Sequence, residues 1–371
     1  MGRKGGLDTP DAASLSRRRL IRWFAGAAAL GAGAVVASCR VAFPQVFDRP
    51  GPGTSHHFGS MGPAVVVPGA EGAAPPLRLE DLPAAMRESL RTPAGFSPDP
   101  MQFLTRFDLG TVSRGASGQT VRDYTLVATD VQLEVAPGVM FPAWTYNGSV
   151  PGPTLRATEG DRMRVHFTNA SEHPHTIHFH SVHPAGMDGV FEQVEPGGTF
   201  LYEFDAAPFG MHQYHCHTMP LAKHISKGLY GALIIDPKEG RPRVDREMVM
   251  VLGGFDVDFD DENDFYTVNG PAFYYQNNPI KLRTNEKIRI YVTNMLEFDP
   301  VNSFHLHANF FDYYPTGTRR EPTFYTDTIA LMQAERGIME FSYSSPGRYL
   351  FHAHKTEFAE LGWVGTFEVE T

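Results

Sequence analysis

The chain has 371 residues, enough for about two domains. At 42% hydrophobic and 20% charged it can bury a core, which excludes the disordered class. Its formal charge of −10 argues against nucleic acid as a partner, and two cysteines are too few for a disulfide framework. Thirty-six Gly and 29 Pro beside 27 Phe and 14 Tyr point to many turns and short strands, and 16 His is the unusual count.

The first segment is read as an export signal and set apart from the fold. Ser16-Arg17-Arg18-Arg19-Leu20-Ile21-Arg22 resembles a twin-arginine motif, with Leu20 where Phe is commonest. The uncharged Ala/Gly-rich stretch from Trp23 to Ser38 is too short and too weakly apolar for a membrane span. It ends Val36-Ala37-Ser38-Cys39, which resembles a bacterial lipobox with Cys39 as the lipid-bearing residue; an ordinary cleaved signal is the alternative. Residues 1–38 carry a net charge of +4, so the remainder sits near −14 and should repel anionic partners. The expectation is an exported protein of the periplasm or cell surface, touching the membrane only through a lipid on Cys39. Cys216 is then the sole thiol of the folded part, and metal ligation is one reason to keep it.

Residues 39–110 read as a Pro/Gly-rich linker with one short helical candidate, Leu79 to Leu90, and with His56 and His57 solvated. From about Tyr124 short alternating apolar runs appear, such as Tyr124–Val127, Arg162–Phe167, Phe200–Phe204 and Ala232–Ile235, the pattern of a β-sandwich. An internal repeat then emerges. Tyr146-Asn147-Gly148 leads through Thr154-Leu155-Arg156 to Val165-His166-Phe167-Thr168-Asn169, and Val268-Asn269-Gly270 leads through Ile280-Lys281-Leu282-Arg283 to Ile290-Tyr291-Val292-Thr293-Asn294. Each half closes on a histidine motif. Two tandem all-β domains are expected, 111–238 and 239–371, with a boundary near Asp236–Arg243.

Residues two apart on a strand share a face, which gives the histidine spacing its meaning. His178 and His180 present two imidazoles together, and His175, three residues back, faces the other way. His215 and His217 form a second pair with Cys216 pointing away, and His224 follows a loop. The second half supplies His305 with His307 and His352 with His354. One such pair is an ordinary surface feature; four at the equivalent ends of two repeats point to metal. A thiolate with two imidazoles is the trigonal set of a blue copper centre, and eight paired imidazoles fit a cluster of several copper ions. His166, His173, His183 and His212 fall outside the pattern and are read as structural, with Met187 and Met211 as packing.

On these residues the chain resembles a two-domain, laccase-like multicopper oxidase over Asp123 to Val369, related to copper-containing nitrite reductases. The resemblance implies two cupredoxin-like Greek-key β-sandwich domains. It places type 1 copper on His175, Cys216 and His224, type 2 copper on His178 and His305, and the type 3 pair on His180, His215, His217, His307, His352 and His354. Cys216, His215 and His217 are the implied route for electrons. The expected cofactor load is four coppers per chain, and a homotrimer would draw the second-domain ligands from a neighbouring copy. Two departures stand out. His224 comes eight positions after Cys216 where three-domain members usually have a step of five, and Leu229 stands where a weak Met ligand is common, which implies a three-coordinate type 1 copper of relatively high potential. Met219 is the other sulfur near that loop, more readily read as packing.

The implied activity is a copper-dependent oxidoreductase with dioxygen as acceptor, oxidising a small-molecule, metal-ion or protein donor one electron at a time. Copper-containing nitrite reductase, forming nitric oxide, is the rival. That family carries a catalytic Asp between the two His of its first motif, where His178 stands here. Asp188, Glu357 and Glu360 lie near ligand motifs as candidates to pass protons, or as plain hydrogen-bonding carboxylates. The acidic run from Asp256 to Asp264 reads as a solvated loop, with attraction of a cation or a basic redox partner as the alternative.

Overall fold

The computed structural model describes residues 99–371. The signal, Cys39, His56, His57 and the Leu79–Leu90 candidate lie outside the described residues.

Twenty strands build four sheets, and each half of the described chain stacks two of them into a sandwich. The first half pairs β1 (Thr111–Arg114), β2 (Thr120–Ala136), β5 (Arg162–Asn169) and β7 (Thr199–Asp205) in that order, with β3 (Val139–Tyr146) also on β2. Its second sheet runs β4 (Gly152–Thr158), β9 (Tyr230–Asp236), β8 (Gly210–His215), β6 (His178–Phe179). The second half has a six-stranded sheet: β11 (Phe265–Val268), β10 (Arg246–Phe255), β13 (Ile288–Asn294), β18 (Arg336–Phe341), β15 (Phe311–Pro315), β16 (Phe324–Thr326). Opposite it lie β12 (Ile280–Arg283), β20 (Val364–Glu370), β19 (Gly347–His352), β14 (Val301–Leu306) and β17 (Thr328–Met332). Early strands pair parallel with later ones in both halves (β2 with β5, β4 with β9, β10 with β13, β12 with β20), the Greek-key crossover of a cupredoxin-like sandwich.

Three large apolar cores hold this together, with a small fourth cluster of Ala136, Phe265 and Ala272 beside them. Tyr124, Leu126, Leu233 and Ile235 fill the first sandwich, and Met248, Met250, Leu252 and Ile290 fill the second. A third core lies between the sandwiches, where Ala232 and Ile234 meet Val249, Val251 and Tyr291. Alternation explains the sharing: on β9, β10 and β13, odd and even residues face different cores. Such strands are buried on both sides and read as continuous apolar runs rather than as half-polar ones.

Residues 99–110, expected as linker, are part of the folded body. Asp99 caps a short helix α1 (Pro100–Phe103) by accepting from the Met101 N–H at 2.7 Å, with Pro at the first helical position. Phe103 and Leu104 are buried, and the Asp108 N–H donates to the Thr154 carbonyl at 2.8 Å. Proline and glycine dominate the residues before this segment, and two apolar side chains were too weak a signal against them.

Candidate metal centres

The first group is assembled from three separate elements. His175 sits between β5 and β6, held by a two-way backbone bridge with Val194 at 3.1 Å. Cys216 follows the end of β8, and its N–H donates to the Leu229 carbonyl at 3.0 Å. His224 lies in a short helix α2 (Leu221–Ser226). Cys216 Sγ is 3.3 Å from His224 Nδ1 and 3.8 Å from His175 Nδ1, and the two Nδ1 atoms are 3.2 Å apart. All three side chains are buried.

Hydrogen bonding fixes which ring nitrogen is free. Ser171 Oγ lies 3.0 Å from both carboxylate oxygens of Asp130, so its one proton goes there and it accepts from His175 Nε2–H, also at 3.0 Å. His175 Nδ1 therefore carries its lone pair toward the sulfur. Burial, reinforced by His224, pulls the His175 pKa down to about 3. Burial and His173 bring His224 to about 4, and burial raises the Cys216 thiol. Two neutral imidazoles and a desolvated sulfur converging on one point are a donor set suited to copper, whose charge would compensate the thiolate. Trp144 covers the group, its ring 4.8 Å from His224 and 5.3 Å from His175. Leu229 is buried in the core that contains Cys216, whereas Met219 is 71% exposed.

The second group gathers around the ends of β6 and β8. His178 is paired directly across from His215 on β6 and β8, with ring centres 5.3 Å apart. His180 Nε2 comes within 2.9 Å of His215 Nε2, and His217 stands 5.4 Å from His178, ring to ring. His215 Nδ1–H donates to the Cys216 carbonyl and His178 Nδ1–H to the Asp188 carbonyl, both at 2.8 Å, which leaves each Nε2 as the donor atom for a metal. Burial lowers the pKa of His180 to about 3 and of His215 to about 4. Asp188 Oδ1 sits 3.2 Å from His178 Nδ1 and 3.8 Å from His183 Nε2.

The second sandwich repeats the arrangement. His305 on β14 is directly opposite His352 on β19, again with ring centres 5.3 Å apart. His307 Nε2 is 2.8 Å from His352 Nε2, and His354 is 5.1 Å from His305, ring to ring. His352 Nδ1–H donates to the Ala353 carbonyl at 2.7 Å, and His305 Nδ1 is 2.8 Å from Thr328 Oγ1. Among the described residues, no group of mutually close ligand atoms draws on both sandwiches, so one chain carries two separate four-histidine faces. Each rests on a glycine. A Cβ on Gly231 would lie 2.4 Å from Tyr214, which precedes His215, and one on Gly365 would lie 2.2 Å from Phe351, which precedes His352.

All eleven residues singled out from the sequence thus fall into these three groups. His166 instead meets Asp123 at 2.7 Å, His173 packs against Trp144 with ring centres 4.5 Å apart, and His212 donates to the Pro208 carbonyl at 2.8 Å. Met211 is buried in the core between the sandwiches, and Met187 packs on the first core. Glu357, in the short helix α4 (Thr356–Glu360; α3 is Tyr274–Asn277), lies 3.7 Å from Lys355 Nζ. Asp256, Asp258 and Asp260 bring their carboxylates together, with Asp256 accepting the N–H groups of Asp260 and Asp261. Sequence reading missed Ser171, Asp130, Trp144 and Thr328. Apart from the four-residue step from Ser171 to His175, nothing local marks them.

Family models described as "Multicopper oxidase" match residues 128–240 and 248–371. A solved structure described as a multicopper oxidase is 56% identical, with a TM-score of 0.73, covering 73% of this chain and 97% of that one. The curated copper-containing nitrite reductase of Neisseria meningitidis is 31% identical over 64% of this chain and 67% of its own length. A copper nitrite reductase structure from Nitrosomonas europaea is 26% identical, TM-score 0.64, covering 68% of this chain and 94% of that one. The chain belongs to the multicopper oxidase family, a family of copper-containing oxidoreductases.

Proposed function

We propose that the protein is a laccase-like oxidase that couples one-electron oxidation of a reducing substrate to four-electron reduction of dioxygen to water. In this reading His175, Cys216 and His224 hold type 1 copper, His178 and His305 hold type 2 copper, and His180, His215, His217, His307, His352 and His354 hold the type 3 pair. Copper bound there, four ions per chain on this reading, would supply one-electron exchange at the first group and electrons to dioxygen at the cluster.

The chain's own residues do the rest. Cys216 is bonded through the backbone to His215 and His217, so a short covalent path joins the buried first group to the second. The Thr176 N–H donates to Cys216 Sγ at 3.4 Å and steadies the sulfur. Burial of His175 and Cys216 excludes water, and Trp144 with the exposed His173 forms the aromatic surface over the first group. Asp188 faces the Nδ1 proton of His178, where a carboxylate can hold or pass a proton. The observation that carries the oxidase reading is the second four-histidine face, congruent with the first: eight imidazoles suit a trinuclear cluster, whereas a single three-imidazole copper leaves most of them unused. Because the two faces are separate within one chain, we place the cluster at a contact between copies, in a homotrimer whose His305, His307, His352 and His354 come from a neighbour. Leu229, without a donor atom, favours a relatively high type 1 potential. Export through residues 1–38 and a lipid on Cys39 complete the reading.

Nitrite reduction is the second reading, favoured by the Neisseria relative. Copper per chain decides between them, measured on purified copper-loaded protein together with oxygen and nitrite consumption under the same donor. Near four coppers with oxygen uptake supports the oxidase; near two, with nitrite consumed, overturns it.

A further inference from the structure

A cavity of about 640 Å³ opens where residues 237–245 join β9 to β10, and no histidine lines it. Six basic residues line it, against the three carboxylates of Asp236, Asp245 and Glu247. Those carboxylates are already committed. Asp236 takes Arg156 through two hydrogen bonds of 2.7 and 3.0 Å, and Glu247 takes Arg156 at 2.8 Å, Arg289 at 3.0 Å and the Tyr291 hydroxyl at 2.8 Å. Asp245 accepts the Lys287 N–H at 2.8 Å. Arg246 is paired with Glu286, outside the cavity.

Three cations are left over. Lys238, Arg241 and Arg243 have no ion-pair partner among the described residues. Arg241 is the telling one. It gives one hydrogen bond to the Gly317 carbonyl and lies over the Phe209 ring at 5.5 Å, yet its buried Nε has no hydrogen-bond partner. The carboxylates of Asp236 and Glu340 act on it only from a distance, and a largely desolvated guanidinium with an unused donor and no carboxylate in contact is costly unless a ligand completes it. This local excess of positive charge stands in a chain whose net charge is −10.

We propose that this cavity binds a phosphate group, with Arg241 as the planar fork on two of its oxygens and Lys238 and Arg243 closing the rim. The phosphate comes either free or on a small organic molecule. The site is independent of the oxidase reading, because none of its residues belongs to the histidine groups.

The test is calorimetric titration of the copper-loaded protein in a chloride buffer, first with orthophosphate and then with adenosine monophosphate. One saturable site per chain is expected, above the response to chloride at matched ionic strength. Arg241→Gln should abolish it. The double variant Lys238→Gln/Arg243→Gln changes only exposed side chains and should weaken it at least tenfold while the visible spectrum stays unchanged. Tighter binding of the nucleotide assigns the site to organic phosphates; equal or weaker binding assigns it to free phosphate. No saturable response, or equal affinity in the wild type and the double variant, overturns the proposal.

Discussion

Ser171→Ala is a sharp test of how the first group is organised. The hydroxyl links Asp130 to the Nε2–H of His175, and the whole chain of contacts is closed at 3.0 Å. Its loss leaves a buried imidazole N–H without an acceptor, which costs about 1–3 kcal/mol in the metal-free protein. It also releases the ring to adopt the other tautomer, with the Nδ1 proton directed at Cys216 Sγ. Outer partners of this kind are worth about 10–100-fold in metal affinity, and Trp144 packing on His175 limits the added ring motion. The expected result is therefore a 10–100-fold weaker copper affinity at this group. A competitive chelator titration following the blue charge-transfer band measures it, and urea melts of the metal-free protein check the stability term. An affinity within twofold of the wild type would refute the argument that the Asp130–Ser171 link fixes the tautomer.

Three further changes have defined outcomes. Burial raises the Glu247 pKa, but hydrogen bonds and charge from Arg156 outweigh it and hold the value near 2. That stabilisation is full above the ordinary glutamate pKa and is lost as pH falls through about 2. It amounts to about 3 kcal/mol, of which Tyr291 and Arg289 keep a share when Arg156 is lost, so Arg156→Met should lower stability at pH 7 by part of it, about 1–2 kcal/mol, and flatten the acid limb of the melting curve; an unchanged limb contradicts this. Gly365→Ala places a methyl 2.2 Å from the Phe351 ring and should cost about 1–3 kcal/mol in a denaturant melt; no loss would show that the ring is free to move. On the proposed copper assignment, Leu229→Met should lower the potential of the first group in a redox titration, and an unchanged potential would place this residue out of reach of the metal.

The paired histidines were legible because residues two apart on extended backbone share a face: His178 and His305 stand on β6 and β14, and His180 and His307 continue the same side just past the strand ends. His175 lies outside any strand, on an isolated bridge to Val194, so its meeting with Cys216 and His224 is a product of the loops and not of strand period. What holds the rings was not legible. Ser171 and Asp130 are separated by 41 positions, and His305 reaches Thr328 across a strand pair, so neither contact leaves a local pattern. The folded segment 99–110 was hidden by its composition, since the burial of Phe103 and Leu104 depends on surfaces far along the chain. Runs such as Ile290–Asn294 pointed to strands but not to their double duty between two cores, because a sequence shows that a residue is apolar and not which neighbour it meets.

That double duty reaches beyond stability. Strands β9, β10 and β13 each contribute to two cores at once, so the two sandwiches have no plane along which to hinge, and they should melt together in one transition. The two histidine faces are consequently set at a fixed angle, like the ends of a rigid bracket. Copies that join through two unlike faces close into a ring only when that angle divides the circle, and otherwise grow without end. In the proposed assembly the greasy seam between the sandwiches would act as a protractor: a substitution there, far from any ligand, would change how many copies meet before it changed what they do.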